Sequence, residues 1–206
     1  MEAEEFMEAE GFVVDTSVLS RFVCEGYAEL LYQIVGQIWI PPSIISPDPS
    51  EHGPELNSIL KEYPSTPRSK HVRAYLDKKG ELWDVMEPTD EEQALASKYT
   101  QTGYRYIKRK RGDAEGLALA KSRRLVLLTD DGGVRTLAHR EGIIVKGTCG
   151  ILLCGVSRKV LGCEEARQVY ENIRGCRLKD IELLCHPKPS CLDRRKGAGP
   201  KEVSPG

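Results

Sequence analysis

The sequence predicts an α/β domain built on a parallel sheet that helices cover on both faces. Three observations carry this. Short, wholly apolar runs, Phe12–Val14 and Leu125–Leu128, stop at the polar turns Asp15-Thr16-Ser17 and Thr129-Asp130-Asp131-Gly132-Gly133. A strand buried on both faces reads as such a run rather than as an alternation. Stretches of helical spacing separate the runs at the interval of βαβ units, which makes the strands parallel. The chain has 206 residues, 40% hydrophobic and 30% charged, enough for one packed core under a polar surface.

In chain order, Phe12–Val14 is the first strand. Val18 to Val35 carries Leu19, Phe22, Val23, Leu30, Leu31 and Ile34 at helical spacing and predicts one helix. Gln37–Ile40 is a second strand, broken by Pro41-Pro42. Residues 46–54 form a loop, and helices over 55–63 and 68–79 follow, with Pro64 and Pro67 between them. Leu82–Met86 is a short strand. Thr89-Asp90-Glu91-Glu92 opens a helix, with Thr89 or Asp90 as cap and acids in the first turn. Asp113 is placed to cap a helix running to about Ser122. Strand Leu125–Leu128, helix Val134–Arg140 closed by Gly142, strand Ile143–Val145 and helices over 149–160 and 164–174 complete the domain. Residues 1–10 read as an acidic tail. Residues 186–206 hold four prolines and three glycines with little apolar content and read as a disordered tail. The folded domain is then 11–185.

Several classes are excluded. A net charge of −1 gives no global field toward nucleic acid or anionic membrane. The apolar runs are too short to span a bilayer. The start, MEAEEFMEAE, has five Glu and no base, unlike a signal peptide, so the expected location is the cytoplasm with no membrane partner. The seven cysteines (24, 149, 154, 163, 176, 185 and 191) include no CxxC pair, and thiols are their expected state. The cluster Cys185-His186…Cys191 falls in the tail. His52, His71, His139 and His186 share no ligand or triad spacing, Ser17 has no His–Asp partner, and no P-loop or GxGxxG occurs.

What remains is a set of carboxylates. In a parallel sheet the functional crevice lies at the carboxyl ends of the strands. Asp15 follows the first strand there, and Asp130 and Asp131 follow Leu125–Leu128. Asp113 opens the helix feeding that strand, and Asp48, Glu51 or Glu55 could supply a fourth acid. Converging carboxylates repel one another, and a hard divalent cation such as Mg²⁺ or Mn²⁺ resolves the conflict. Such sites act on phosphodiesters. Singly, each Asp is more often a turn former or helix cap than a ligand, and their joint placement on one crevice is what points to function. Arg105-Tyr106-Ile107-Lys108-Arg109-Lys110-Arg111 holds five bases and no acid just before Asp113, as a nucleic-acid backbone would need, and it reads equally as a solvated loop. Arg135, one turn beyond Asp131, is placed to face the same crevice.

These segments resemble the PIN-domain nucleases. Val13-Val14-Asp15-Thr16-Ser17-Val18-Leu19 is similar to their opening strand and turn, Gly112-Asp113-Ala114-Glu115-Gly116-Leu117 to their third acidic block, and Leu127-Leu128-Thr129-Asp130-Asp131 to their fourth. Val145-Lys146-Gly147-Thr148-Cys149-Gly150 resembles the Gly-Thr-x-Gly turn of a prokaryotic branch. The resemblance implies a three-layer α/β/α sandwich and an endoribonuclease, dependent on Mg²⁺ or Mn²⁺, that cuts single-stranded RNA. It implies catalytic roles for Asp15, Glu51, Asp113 and Asp131. Asp15, Asp113, Asp130, Asp131 and Glu115 are the metal candidates, and Ser17 is the supporting hydroxyl. Arg105, Lys108, Arg109, Lys110 and Arg111 are the RNA-binding candidates. The second acid departs from the family pattern, because Ser46-Pro47-Asp48-Pro49 interrupts its usual place; Glu51 is the choice and Glu55 the fallback. A toxin-type member implies a cognate antitoxin protein, an RNA-processing member does not, and family members are often homodimers. Two other readings stand beside this one. One is a non-catalytic RNA-binding or assembly module on the same fold. The other is a phosphotransfer domain, although a haloacid-type phosphatase wants an Asp where Ser17 stands and a receiver wants an acidic pair on the first strand.

Overall fold

The computed structural model describes residues 11–45, 65–101 and 111–174. The elements are β1 (Phe12–Val14), α1 (Thr16–Cys24), α2 (Ala28–Val35), β2 (Ile38–Ile40), α3 (Pro42–Ile45), α4 (Pro67–Leu76) and β3 (Trp83–Val85). There follow α5 (Asp90–Gln101), α6 (Arg111–Ser122), β4 (Val126–Leu128), α7 (Gly132–Arg140), β5 (Val145–Lys146), α8 (Thr148–Ser157) and α9 (Cys163–Arg174). The strands form one parallel sheet in the order β3-β2-β1-β4-β5. The α/β/α sandwich is therefore as expected.

The sheet divides the core in two because successive side chains of a strand point to opposite faces. Phe12, Val14, Val126 and Leu128 join α1, α2, α4, α8 and α9 on one face. Val13, Leu127 and Val145 join α5, α6 and α7 on the other. This two-sided burial is why β1 and β4 read as FVV and VLL with no polar residue. The register pairs Phe12 with Val126, Val13 with Leu127 and Val14 with Leu128, so both strands end at the same level.

Some expected boundaries move. The single helix over Val18–Val35 is two helices, because Gly26 turns the chain at φ +80° and ends the first. Asp113 does not cap its helix: α6 already includes Arg111, which puts Asp113 in the first turn. Thr89 is the cap before α5. Its hydroxyl accepts from Glu92 N at 3.3 Å, and Glu92 Oε2 accepts from Thr89 N at 2.8 Å, a reciprocal capping box. Buried Glu92 also pairs with Arg123 at 2.7 Å, and that guanidinium holds its carboxyl below the usual carboxylate range. Pro42 opens the unforeseen short helix α3. The last strand slides from Ile143–Val145 to Val145–Lys146, where Val145 and Lys146 pair with Leu127 and Leu128.

Cys24, Cys149 and Cys154 are thiols, as expected. Cys163, the first residue of α9, is disulfide-bonded and departs from the expected thiol. The expectation of reduced cysteines rested on compartment alone, whereas the fold decides which sulfurs meet. No helix of the described residues is long and apolar enough to cross a membrane.

Candidate active site

The strand order reverses at β1: β2 lies on one side of it and β4 on the other. At such a switch point the connections leave in opposite directions and open a crevice at the carboxyl ends of the strands. Asp15 follows β1 there, and Thr129, Asp130 and Asp131 follow β4. The last rung between the two strands is Asp15 N donating to Leu128 O at 2.9 Å.

Asp15 is only 3% exposed. It is the N-cap of α1, and its Oδ1 accepts from Ser17 N at 3.1 Å. Its Oδ2 accepts from Ser17 Oγ at 2.8 Å and from Thr129 Oγ1. Every partner is neutral, and no Lys, Arg or His of the described residues forms an ion pair with it. Ser17 Oγ in turn accepts from Asp130 N at 3.0 Å, and Thr129 Oγ1 accepts from Asp131 N at 3.1 Å. Two hydroxyls therefore stitch the turn after β1 to the turn after β4.

Asp130 is in a different condition. Its Oδ1 accepts from Thr148 N at 2.9 Å, and its Oδ2 accepts from Thr148 Oγ1 at 2.6 Å and pairs with Arg21. It thereby satisfies the start of α8, whose N-cap Gly147 offers no side chain. Glycine is required there: a Cβ on Gly147 would stand 2.6 Å from Asp130 Oδ1 and 2.9 Å from Arg135 Nη1. Arg135 faces the crevice as expected, donating from Nη1 to Thr129 O at 3.3 Å. Asp131 is the N-cap of α7, its Oδ1 accepting from Gly133 N and Val134 N at 2.8 and 3.0 Å.

Asp113 sits in the first turn of α6, which packs against β1 and β4, and its Oδ2 is buried. Glu115 is 4% exposed and turned to other work. Its Oε2 accepts from Ser43 Oγ at 2.6 Å and Ser43 N at 3.3 Å, and its Oε1 accepts from Arg111 Nε at 2.8 Å. This ties α6 to α3 behind β2. A cleft of about 340 Å³ opens between α5 and α6, lined by Gln93, Ser97, Thr100, Arg111 and Glu115 among others. Glu51, with its fallback Glu55, and Arg105, Lys108, Arg109 and Lys110 lie outside the described residues.

Among the described residues, no group of three or more His, Cys, Asp or Glu side chains is disposed to hold a metal ion. Mg²⁺ needs only one or two carboxylates, the remaining positions going to water and phosphate. Asp15 fits such an ion, being a hard-oxygen donor, buried and without a countercharge. Asp130 does not fit, because Arg21 already balances it.

Sequence reasoning passed over Arg21, Thr129 and Thr148. Arg21 lies one helical turn beyond Ser17, on the same face, and that spacing is the signal that could have found it. Thr129 and Thr148 lie within the motifs Thr129-Asp130-Asp131 and Gly147-Thr148, but their partners are distant in sequence.

A protein-family model described as a PIN domain matches residues 11–180. Comparisons with curated proteins and with solved structures find no significant match.

Proposed function

Because the chain belongs to the PIN-domain family, whose members are generally nucleases and generally use divalent metals, we propose that it is a Mg²⁺- or Mn²⁺-dependent endoribonuclease acting on single-stranded RNA. One observation carries the proposal: a buried carboxylate, Asp15, at the switch point of the sheet, with only neutral partners. A buried carboxylate without a countercharge costs several kcal/mol, and a site that keeps one is built to receive a cation.

Asp15, Asp113 and Asp131 would hold the ion, and Glu51 is the expected further acid. A bound divalent cation supplies Lewis acidity toward water and phosphate. Ser17 and Thr129 fix the Asp15 carboxylate through its Oδ2, so it keeps one orientation when charge changes beside it. Asp131 aims its backbone through the α7 cap. Arg111, with its side chain 64% exposed and its Nε anchored on Glu115, stands at the α5–α6 cleft. With Arg105, Lys108, Arg109 and Lys110, its neighbours in sequence, it would supply the positive charge for the RNA backbone.

The test is cleavage of a labelled, unstructured RNA with Mn²⁺ or Mg²⁺, with EDTA, and with Asp15→Asn. Metal-dependent cutting that disappears in both controls is expected. Binding without cutting under every condition would favour the non-catalytic RNA-binding module, the reading that the neutralised Asp130 supports. A toxin-type role adds a prediction of its own: the co-expressed antitoxin suppresses the cutting.

A further inference from the structure

The nuclease reading leaves one cation of the site without a task, and the following inference rests on that reading. We propose that Arg21 seats a phosphate of the RNA backbone beside Asp15, with Asp130 as the positioning residue that holds Arg21 there.

Arg21 lies in the last turn of α1, the helix that Asp15 caps. Among the described residues the one hydrogen-bonded atom of its side chain is Nη1, on Asp130 Oδ2. Its side chain is 35% exposed, against 13% for that of Asp130. Arginine has five N–H donors in a planar fork that suits a carboxylate or a phosphate two bonds at a time. The fork does not close on Asp130: only Nη1 bonds it, through Oδ2, which it shares with Thr148 Oγ1, while Thr148 N is on Oδ1. The carboxylate thus grips one corner of the guanidinium, and no other described residue bonds the rest. A pair that served stability alone would gain more from the two-bond geometry.

The place is also right. Ser17 Oγ touches both Asp15 Oδ2 and Asp130 N, so the Arg21–Asp130 pair stands one hydroxyl away from the candidate catalytic carboxylate. Arg135 Nη1, bonded to Thr129 O, and Asp130 Oδ1 stand on the same side of Gly147, against the position its Cβ would take. Arg21 and Arg135 thus both stand near Asp130, and their positive charge lies beside Asp15, the carboxylate proposed to hold the ion. A dianionic sugar–phosphate segment meets cation there before it meets carboxylate. Arginine recognises such oxygens by shape as well as by charge, which lysine does not.

The experiment is fluorescence anisotropy of a labelled, unstructured RNA binding to Asp15→Asn protein over a salt series without divalent metal. Arg21→Ala, Arg21→Lys and Asp130→Asn are made in that background. Arg21→Ala is expected to weaken binding about tenfold and to lower the slope of log K against log salt by about one. Arg21→Lys restores the slope but not the full affinity, and Asp130→Asn falls between. RNA with neutral methylphosphonates erases the difference between the parent and Arg21→Ala. An Arg21→Ala protein with unchanged affinity and slope but a lower melting temperature overturns the proposal and makes the pair a latch. Parent protein that binds no single-stranded RNA overturns it as well. The nuclease reading is judged separately, by metal-dependent cutting. Arg21-dependent binding without cutting sinks that reading alone, and cutting with the same KM in Arg21→Ala sinks this proposal alone.

Discussion

Replacing Asp15 by Asn tests the central claim about the site, that its buried carboxylate is held at a cost. The change keeps volume and shape. The Asn oxygen can take the Oδ1 place and keep the cap on Ser17 N, so α1 retains its start. At the Oδ2 place an amide NH₂ meets the hydroxyls of Ser17 and Thr129, which rotate from donor to acceptor. Two charge-assisted bonds become neutral ones, a loss of about 1 kcal/mol each. Against this, the folded state no longer buries an unpaired anion, a penalty of several kcal/mol. The balance without metal is a gain of about 1–2 kcal/mol, or roughly 2–8 °C in Tm for a domain of this size. Thermal melts with and without Mn²⁺ read both sides of the argument. The parent is expected to gain Tm as Mn²⁺ rises, by ligand linkage, and the Asp15→Asn protein to gain none. A variant that melts lower than the parent in EDTA, with Mn²⁺ raising both proteins alike, would refute the reasoning: Asp15 would then be satisfied by its hydroxyls and no cation would be needed.

Other perturbations follow from the same structure. Glu92 is held below its ordinary value of 4.5 chiefly by the Arg123 hydrogen bond. Its contribution to stability is full above that value and is lost as pH falls through the lowered one; Arg123→Ala should destabilise by about 2 kcal/mol at neutral pH and flatten the acid limb of urea midpoint against pH. Tyr75 is 2% exposed and its hydroxyl has no hydrogen-bond partner among the described residues, and burial pushes its pKa far up. Tyr75→Phe should therefore stabilise by about 1 kcal/mol in chemical denaturation, and a loss would show that the hydroxyl is satisfied. Gly147→Ala sets a methyl against Asp130 and Arg135. It should cost about 1–3 kcal/mol and impair RNA cleavage beyond what the lower Tm explains, as measured by kcat and KM below the transition.

The strands and their acids were readable because burial on both faces leaves no room for polar residues, so FVV-D and VLL-T-D stand out against any background. Helix starts marked by side-chain caps were readable for the same local reason, as Thr89 shows. Features decided by distant partners were not. Gly26 ends α1 through a positive φ, yet the apolar spacing runs on across it. Glu115 has the motif position of a metal ligand, but Ser43 and Arg111 take both its oxygens, and Ser43 is 72 residues away. Asp130 and Asp131 are adjacent and alike in sequence, whereas Arg21 gives one an ion pair, Thr148 gives it hydrogen bonds, and the other caps α7. Arg21 itself belongs to no motif, since its meaning comes from β4.

The bond from Asp15 N to Leu128 O closes the ladder between the two innermost strands. An amide in that position has no local route to solvent, because the strands on either side must part before it is released. Its hydrogen exchange should run at the rate of global unfolding, as slowly as that of Val14 or Leu128. The turn that carries the chemistry is then among the last parts of the molecule to loosen. Core substitutions on either face of β1 and β4 should register in the site before they register in any surface loop, and the active geometry should fail with heat in one step with the fold.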